Sequence, residues 1–185
     1  LKATLYLPGM TWGSADWNYG GSAASFSTVY VLKYFNPALG WSTSWDSGQD
    51  FYLIRYAEVL LSLAEAYIEK NQNLDEAVKL IDEVRQRAGM PTVEAVEGTG
   101  LSQEKLREVV RHERRVELAF EGLRLFDLYR WHTLKEAVDN INNEASTYKF
   151  AYEFRNYKGE QEYVWPIPQT ELDSNPMLTQ NELWK

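Results

Sequence analysis

Apolar residues recur at spacings of three and four over residues 51–70, which is typical of one face of an α-helix. The apolar positions are Leu53, Ala57, Leu60, Leu61, Ala64, Tyr67 and Ile68. Polar side chains occupy the other side, at Arg55, Glu58, Ser62, Glu65 and Glu69. The pattern therefore predicts an amphipathic helix over residues 51–70.

A second helical pattern follows the sequence NQN at residues 71–73. Asn73 is predicted to cap this helix, with Glu76 as its capping-box partner, and Gly89 followed by Pro91 is predicted to end it. The predicted buried face contains Leu74, Ala77, Val78, Ile81, Val84 and Ala88. Because the break is short, the two helices are expected to form an antiparallel hairpin.

Two further helical segments are predicted before residue 142. Ser102 is a good N-cap, with Glu104 in the first turn, and the third helix is expected to run towards Gly122. Its apolar positions include Val109, Val110, Val116 and Phe120. A fourth segment continues to about residue 141, so the pattern predicts a mainly α fold.

The regions on either side of this helical core, residues 1–50 and 142–185, have the composition of long loops. Residues 27–35 (STVYVLKYF) are rich in β-branched and aromatic residues and predict a strand. Residues 163–181 carry three of the six prolines, which favours an extended segment followed by a turn at Asn175-Pro176. We expect all three regions to belong to one domain with little β structure.

Composition excludes several classes of function. The formal net charge of -8 argues against nucleic-acid binding, which needs a basic surface. With 44% hydrophobic residues the chain can bury a core, and no apolar run approaches the length of a membrane span. The absence of cysteine excludes disulfides and Cys-ligated metals.

The stretch ERRVELAFEGLRLFDLYRW at residues 113–131 places charges inside an apolar pattern. Such a cluster is either catalytic or a set of structural ion pairs. Acidic and basic residues at three-residue spacings can pair, as in the series Glu121, Arg124, Asp127, Arg130 and in Arg114 with Glu117. Gly122 favours a turn, so some pairs are expected to cross between helices.

Buried charges are usually paired, which favours the structural interpretation over the catalytic one. We assign this role to Glu117, Glu121, Arg124, Asp127, Arg55 and Glu58. Glu117 and Arg124 in particular are expected to be substantially buried.

The remaining sequence supports neither catalysis nor a cofactor. His112 and His132 have no second ligand at helical spacing, and no nucleophile elbow or phosphate loop is present. A glycosidase needs two carboxylates facing a sugar bond, but no sequence feature selects such a pair. The stretch WDSGQD at residues 45–50 lacks the pattern of an EF-hand and is interpreted as a turn rather than a metal site.

The stretch MTWGSADWNYGG at residues 10–21 is the candidate ligand segment. Trp12, Trp17 and Tyr19 supply aromatic faces that stack on a sugar ring, and Asn18 and Asp16 supply hydrogen bonds for its hydroxyls. The alternative is that these aromatic rings fill a core beneath loops. The glycines and polar neighbours favour an exposed loop, where recognition residues concentrate.

Residues 64–85 resemble a tetratricopeptide unit, with Ala64, Tyr67 and Ala77 at its packing positions. Five segments occur in one order: RYAEVLLSLAEA (55–66), VRQRAGMP (84–91), residues 113–131, WPIPQTEL (165–172) and NPMLTQN (175–181). Together they resemble the C-terminal part of the SusD/RagB family. The resemblance is good over residues 51–185 and looser before them.

This resemblance implies a tetratricopeptide-like, SusD-like fold and a non-catalytic protein that binds glycan nutrients. It also implies delivery of the glycan to a SusC-like TonB-dependent transporter, on the surface of the outer membrane of a Bacteroidetes-type bacterium. The family is attached through a lipidated amino-terminal cysteine, and we expect that anchor to be absent from this chain. The alternatives are a helical-repeat interaction module with its glycan site elsewhere, or a fragment of a glycoside hydrolase.

Overall fold

The structure is a computed structural model that describes residues 4–6, 30–31, 33–34, 48, 50–148 and 155–185. Seven α-helices lie in this described part of the chain, together with two strands of two residues each. The mainly α fold class is therefore confirmed. The chain forms two compact units, Leu1–Gly122 and Leu123–Lys185, and each is described by itself.

The first unit is built around a helical hairpin. Its helices are α1 (Tyr56–Glu69), α2 (Leu74–Arg87), α3 (Val93–Glu97) and α4 (Gln103–Glu117). Helix α1 packs along α2 and also against α4, so it forms the centre of this unit. Strands β1 (Leu5–Tyr6) and β2 (Tyr30–Val31) pair antiparallel, and Lys33 and Tyr34 follow in a turn. The predicted strand over residues 27–35 is thus reduced, where described, to its two central residues.

The core of the hairpin contains the apolar face predicted from the sequence. Ala64 and Ile68 of α1, and Ala77 and Ile81 of α2, are each 0% exposed and belong to one core cluster. The connection at residues 70–73 is short, which places the two helices side by side. The small side chains of Ala64 and Ala77 allow the backbones of α1 and α2 to approach closely.

Helix α1 begins later than predicted. Its first residue is Tyr56, and Arg55 before it is extended at φ -133° and ψ 160°. Leu53 therefore lies outside the helix and is exposed, so its assignment to the buried face is wrong. Glu65 was placed on the solvent side by periodicity but is buried, because an arginine of α4 reaches it.

The helix caps are partly as predicted. Ser102 is confirmed as an N-cap, since its hydroxyl accepts a hydrogen bond from the backbone N–H of Lys105 at 3.3 Å. Asn73 precedes α2 but adopts a left-handed conformation at φ 51° without a side-chain capping bond, so the predicted capping box is wrong. Gly89 follows α2 at φ 70°, as expected for a helix terminator, while Ala88 is exposed rather than buried.

Helix α4 ends at Glu117, short of the predicted end at Gly122. A turn follows in which Phe120 and Gly122 both have positive φ, at 65° and 81°. Val109 and Val110 are buried as predicted, but Val116 and Phe120 are exposed. Glycine at position 122 adopts this left-handed conformation without the strain that a side chain would add there.

The second unit contains two helices where one segment was predicted. These are α5 (Arg124–Arg130) and α6 (Leu134–Tyr148), and the break lies at His132, which has φ 57°. The remaining elements are a 3₁₀ helix (Glu160–Tyr163), α7 (Gln169–Ser174) and a 3₁₀ helix (Glu182–Trp184). Its small core contains Leu128, Leu134 and Val138, with Tyr157 and Tyr163 packed against them.

Two side chains of the C-terminal segment of this unit form hydrogen bonds with the backbone at Val164 and Ile167. The Gln180 amide accepts a hydrogen bond from the backbone N–H of Ile167 at 3.0 Å and donates one to the Ile167 carbonyl at 2.9 Å. The Trp184 indole N–H donates to the Val164 carbonyl at 2.9 Å. The predicted turn at Asn175-Pro176 is present, but helix α7 was not predicted.

We expect Ala64→Leu to destabilise the protein by about 1–3 kcal/mol, because the larger side chain overpacks a fully buried position. The control is Ala66→Leu, at an exposed position of the same helix, which should change stability by less than about 0.5 kcal/mol. Urea denaturation measures both values. Equal stabilities of the two variants would contradict the assignment of Ala64 to the core of the hairpin.

Candidate functional site

The residues predicted to bind sugar, Trp12, Asp16, Trp17, Asn18 and Tyr19, lie outside the described residues. Their role therefore stays a prediction. Within the described part of the chain, several charged side chains form an ion-pair network next to α1.

The network is centred on the Arg55 guanidinium, just before α1. Its Nε donates to Glu121 Oε2 and its Nη1 to Glu117 Oε1, both at 2.6 Å. Nη2 donates to the backbone carbonyl of Glu117 at 2.8 Å and to Glu121 Oε1 at 2.9 Å. The planar guanidinium thus holds two carboxylates and the last carbonyl of α4 at once.

Two further cations complete the network. Lys33 Nζ donates to Glu121 Oε1 at 2.5 Å and to the Glu117 carbonyl at 2.6 Å. Arg87, at the end of α2, donates to Glu117 Oε1 at 2.6 Å. Positive charge is favourable at the C-terminal end of α4, where the last carbonyls have no hydrogen-bond donor within the helix. Sequence reasoning missed Lys33 and Arg87, because neither lies at helical spacing from the acids that it contacts.

The electrostatics of the network keep the Glu121 carboxyl ionised. Burial alone would raise the pKa of the Glu121 carboxyl, but hydrogen bonds from Arg55 and Lys33 outweigh it, and the net shift is downward. Burial likewise opposes the charged form of Arg55, while its bonds to Glu121 and Glu117 raise its pKa. A general acid needs the opposite shift, so the Glu121 carboxylate is suited to holding structure rather than to donating a proton.

Other charged residues of the first unit are also paired, but with different partners from those predicted. Arg85 donates to Glu113 at 2.8 Å across α2 and α4. Arg114 lies 3.7 Å from Glu65 and donates to the Ser62 hydroxyl at 3.0 Å. The predicted pair of Arg114 with Glu117 is replaced by these contacts, because the Arg114 side chain points across to α1.

The predicted charge series over residues 121–130 is not one continuous ladder. Glu121 lies before Gly122 and outside α5, whereas Asp127 and Arg130 pair within α5 at 2.8 Å. Arg124 and Glu117, the two charged residues expected to be substantially buried, are both partly buried, and the Arg124 guanidinium lies 5.8 Å from the centre of the Trp131 ring.

Glu58, the remaining acid assigned a structural role, is half-buried in the first turn of α1. A carboxylate there interacts favourably with the positive end of the helix dipole. That role stays a prediction.

An aromatic cluster lies beside the network. The Tyr34 and Phe51 rings stack with centroids 4.7 Å apart and an angle of 17°, and the Tyr52 ring lies 5.3 Å from Tyr34. Lys33 and Tyr34 precede residues 35–49, and Phe51 and Tyr52 follow them. The network and the cluster therefore bring the two ends of this segment together.

The second unit has a smaller polar cluster around His132. Its ring stacks on Tyr163 with centroids 4.0 Å apart, and Nε2 lies 2.9 Å from Glu160 Oε2. Both His132 and Glu160 are exposed, so this contact contributes little to stability.

Within the described residues, no three His, Cys, Asp or Glu side chains are grouped closely enough to hold a metal ion. Every described helix is too short or too polar to cross a lipid bilayer.

We expect Arg55→Ala to cost about 3 kcal/mol, because it leaves the carboxylates of Glu117 and Glu121 without their shared partner. Arg87→Ala is a matched control, since it removes a cation from the same Glu117. The Arg87 side chain is 61% exposed, against 22% for Arg55, so its loss should cost less than about 1 kcal/mol. Denaturant unfolding measures both, and equal costs would contradict the central role of Arg55.

The Glu121 carboxyl should also make stability depend on pH. Its pKa in the folded state is depressed, so its contribution is complete above the pKa of the unfolded chain and is lost as pH falls through the folded-state value. Glu121→Gln should therefore be less stable than the natural protein at neutral pH, with a difference that shrinks in acid. The control is Glu83→Gln, at an exposed position of α2. A difference independent of pH, measured by thermal unfolding from pH 7 to pH 3, would contradict the ionised role.

Comparison with known proteins agrees with this architecture. The sequence profile of the SusD family matches residues 8–184. The chain is 33% identical to SusD-like protein P2 of Formosa agariphila over 156 residues, which cover 82% of this chain and 29% of that protein. It is 32% identical to SusD-like protein P25 of the same organism, over 89% of this chain and 29% of that protein. The chain thus spans less than a third of the length of these relatives.

Solved structures give the same result. The surface glycan-binding protein A from Bacteroides uniformis superposes with a TM-score of 0.61 at 27% identity, covering 97% of this chain and 36% of the other. A SusD-like protein from Bacteroides fragilis superposes with a TM-score of 0.54 at 30% identity, covering 71% of this chain and 25% of the other. The profile match, the sequence relatives and the helical hairpin together show that the chain belongs to the SusD family.

Proposed function

We propose that this chain is part of a non-catalytic protein that binds glycans at the cell surface. The observation that carries the proposal is the superposition, over 97% of the chain, on the surface glycan-binding protein A from Bacteroides uniformis. Membership of this chain in the SusD family also supports it. The glycan is the ligand class in that protein's name, and we extend it to this chain as a proposal.

The proposed contact residues are Trp12, Trp17 and Tyr19, with Asn18 and Asp16 as hydrogen-bonding partners. A sugar ring has apolar C–H faces and a polar rim, so flat aromatic side chains beside short polar ones match both. Gly13, Gly20 and Gly21 in the same stretch have no side chain, and glycine is favoured where a backbone approaches a ligand closely.

The described scaffold supports a binding role in a second way. Recognition loops work when a rigid framework fixes their ends. Here the ion pairs of Lys33 and Arg55 with Glu121, and the stacking of Tyr34 on Phe51, fix the residues that flank positions 35–49. That segment, which contains Trp41 and Trp45, is the next candidate for sugar contact after residues 10–21.

The proposal extends to delivery of the captured glycan to a SusC-like TonB-dependent transporter, and to a surface-exposed lipoprotein of the outer membrane. Membership of the SusD family supports this partner and this location. Glu117 and Glu121 do not fit the pair of carboxyl groups that the glycoside hydrolase alternative needs, because both accept hydrogen bonds from cations and Glu121 has a lowered pKa. A hydrolase needs one carboxyl group that stays protonated.

Truncation of the candidate aromatic residues tests the proposal. A glycan array of neutral and acidic oligosaccharides first identifies a ligand, and titration calorimetry then measures its affinity. Trp12→Ala or Trp17→Ala should weaken binding about tenfold, since one stacking contact contributes about 1.4 kcal/mol. The control is Trp165→Ala, at a highly exposed position of the second unit, which should leave the affinity unchanged.

Three outcomes would contradict the proposal in different ways. Release of reducing sugar from the bound oligosaccharide would favour the hydrolase. Unchanged affinity together with loss of stability in the Trp12 and Trp17 variants would place those residues in a core. Affinity for the transporter without affinity for any glycan would favour a helical-repeat interaction module.

A further inference from the structure

His132 lies at the corner between α5 and α6 and has a left-handed backbone, with φ 57°. Its imidazole ring lies parallel to the Tyr163 ring, with the centroids 4.0 Å apart and an angle of 9° between the planes. Its Nε2 atom lies 2.9 Å from Glu160 Oε2. One side chain of the corner therefore contacts both ends of the 3₁₀ helix at Glu160–Tyr163.

The 3₁₀ helix in turn holds the start of α6. The Tyr163 hydroxyl accepts a hydrogen bond from the backbone N–H of Leu134, the first residue of α6, at 3.1 Å. The Tyr129 ring meets the Tyr163 ring edge to face, with the centroids 5.6 Å apart. The first N–H groups of a helix have no acceptor within the helix, so the hydrogen bond of Leu134 depends on Tyr163 staying in place.

The Glu160 carboxylate lies between two groups that can donate a hydrogen bond. Its Oε2 faces His132, and its Oε1 accepts a hydrogen bond from the Tyr157 hydroxyl at 3.1 Å. These contacts lower the pKa of Glu160, with His132 having the larger effect. Burial and the contact with Glu160 raise the pKa of Tyr157 to about 12. At neutral pH Glu160 is therefore ionised and Tyr157 is not.

The neighbouring elements add further charged side chains, most of them paired. Their contacts are the ion pairs Arg130–Asp127, Lys135–Asp139 and Lys185–Glu182, and the hydrogen bond from the Lys158 N–H to the Glu162 carboxylate. The side chains of Lys158 and of Glu136, in the first turn of α6, are exposed, so solvent screens their charge. Histidine ordinarily changes its charge between about pH 5 and pH 8, and His132 is the histidine of this unit.

We propose that His132 is a pH-dependent latch that holds the 3₁₀ helix at Glu160–Tyr163 on the corner between α5 and α6. In acid, the imidazolium forms an ion pair with Glu160 and a cation–π contact with Tyr163. When the ring loses its proton, only ring stacking and a neutral hydrogen bond remain, so the 3₁₀ helix opens more often. Because the pair is exposed, its loss changes this local opening rather than the global free energy of unfolding.

The latch is tightest at mildly acidic pH. The pKa of Glu160 is depressed, so its contribution is complete above the pKa of the unfolded chain and is lost as pH falls through the folded-state value. A histidine that gains a carboxylate partner contributes in the opposite direction, since its contribution is lost as pH rises and the ring is deprotonated. Both groups are charged only between these two limits.

Hydrogen exchange of the Leu134 amide tests the latch. It is measured by NMR from pH 5 to pH 8.5 on the 185-residue chain and corrected for the intrinsic exchange rate at each pH. Protection of this amide should fall about two- to fivefold as pH rises, which is the size expected for one exposed charged contact. The amide reports the latch because its acceptor, the Tyr163 hydroxyl, moves with the 3₁₀ helix.

Two variants remove the latch, and one leaves it intact. His132→Asn removes the titrating ring, and asparagine adopts a left-handed backbone readily, so protection should become independent of pH. Glu160→Gln keeps the His132 backbone unchanged and should lose most of the pH dependence, which decides the case if His132→Asn does not fold. The control is His112→Asn, at an exposed position of α4, which should keep the pH dependence of the natural protein.

Three results would overturn the proposal. If protection of Leu134 in the natural protein were equal at pH 5 and pH 8.5, or rose with pH, the charge of His132 would not hold the 3₁₀ helix. If His132→Asn or Glu160→Gln kept the full pH dependence, another group would cause it. If His112→Asn lost the dependence as well, the effect would belong to the chain as a whole and not to this corner.

Discussion

The Arg55 guanidinium is the constraint on which the first unit depends. It joins the start of α1 to the end of α4 through Glu117 and Glu121, whose carboxylates accept four hydrogen bonds from cations in addition to that of Arg87. A lysine at this position would supply one point charge instead of a planar fork and would not satisfy two carboxylates and a carbonyl together. The hydrophobic hairpin supplies most of the burial, whereas this contact sets where the hairpin begins and which residues precede it.

The ion pair of Arg55 with Glu121 also bears on the proposed binding of glycans. Lys33 shares Glu121 with Arg55, so one carboxylate receives a cation from each end of the segment at residues 35–49. Burying charge costs free energy unless the geometry is good, and such pairs fix position more reliably than they add stability. A protein that presents a loop to a ligand gains from that precision, because less conformational entropy is lost when the ligand binds.

Sequence periodicity predicted the hairpin well because its signal is local. The spacing of Ala64, Ile68, Ala77 and Ile81 depends only on the helical repeat, and all four are buried as predicted. The predicted start of α1 was wrong because Arg55 is held by acids more than sixty residues away. A local sequence pattern contains no information about such a contact.

Among the candidate site residues, sequence reasoning selected the acids of the network and Arg55, but not the other two cations, Lys33 and Arg87. Glu117 and Glu121 stand out because they interrupt an apolar pattern. Lys33 lies in a loop-like region and Arg87 on a helix surface, where basic residues are common.

The side-chain amide of Gln180 pairs with the backbone of Ile167 in the way that a neighbouring strand would. Its oxygen and nitrogen satisfy both backbone polar groups of Ile167, as a neighbouring peptide would in a sheet, and this depends on the amide having one donor and one acceptor. Deamidation to glutamate would remove the donor and place a negative charge against the Ile167 carbonyl. One slow chemical change in an ageing protein would therefore weaken one of the two side-chain contacts that hold the C-terminal segment, without a protease and without any change in the encoded sequence.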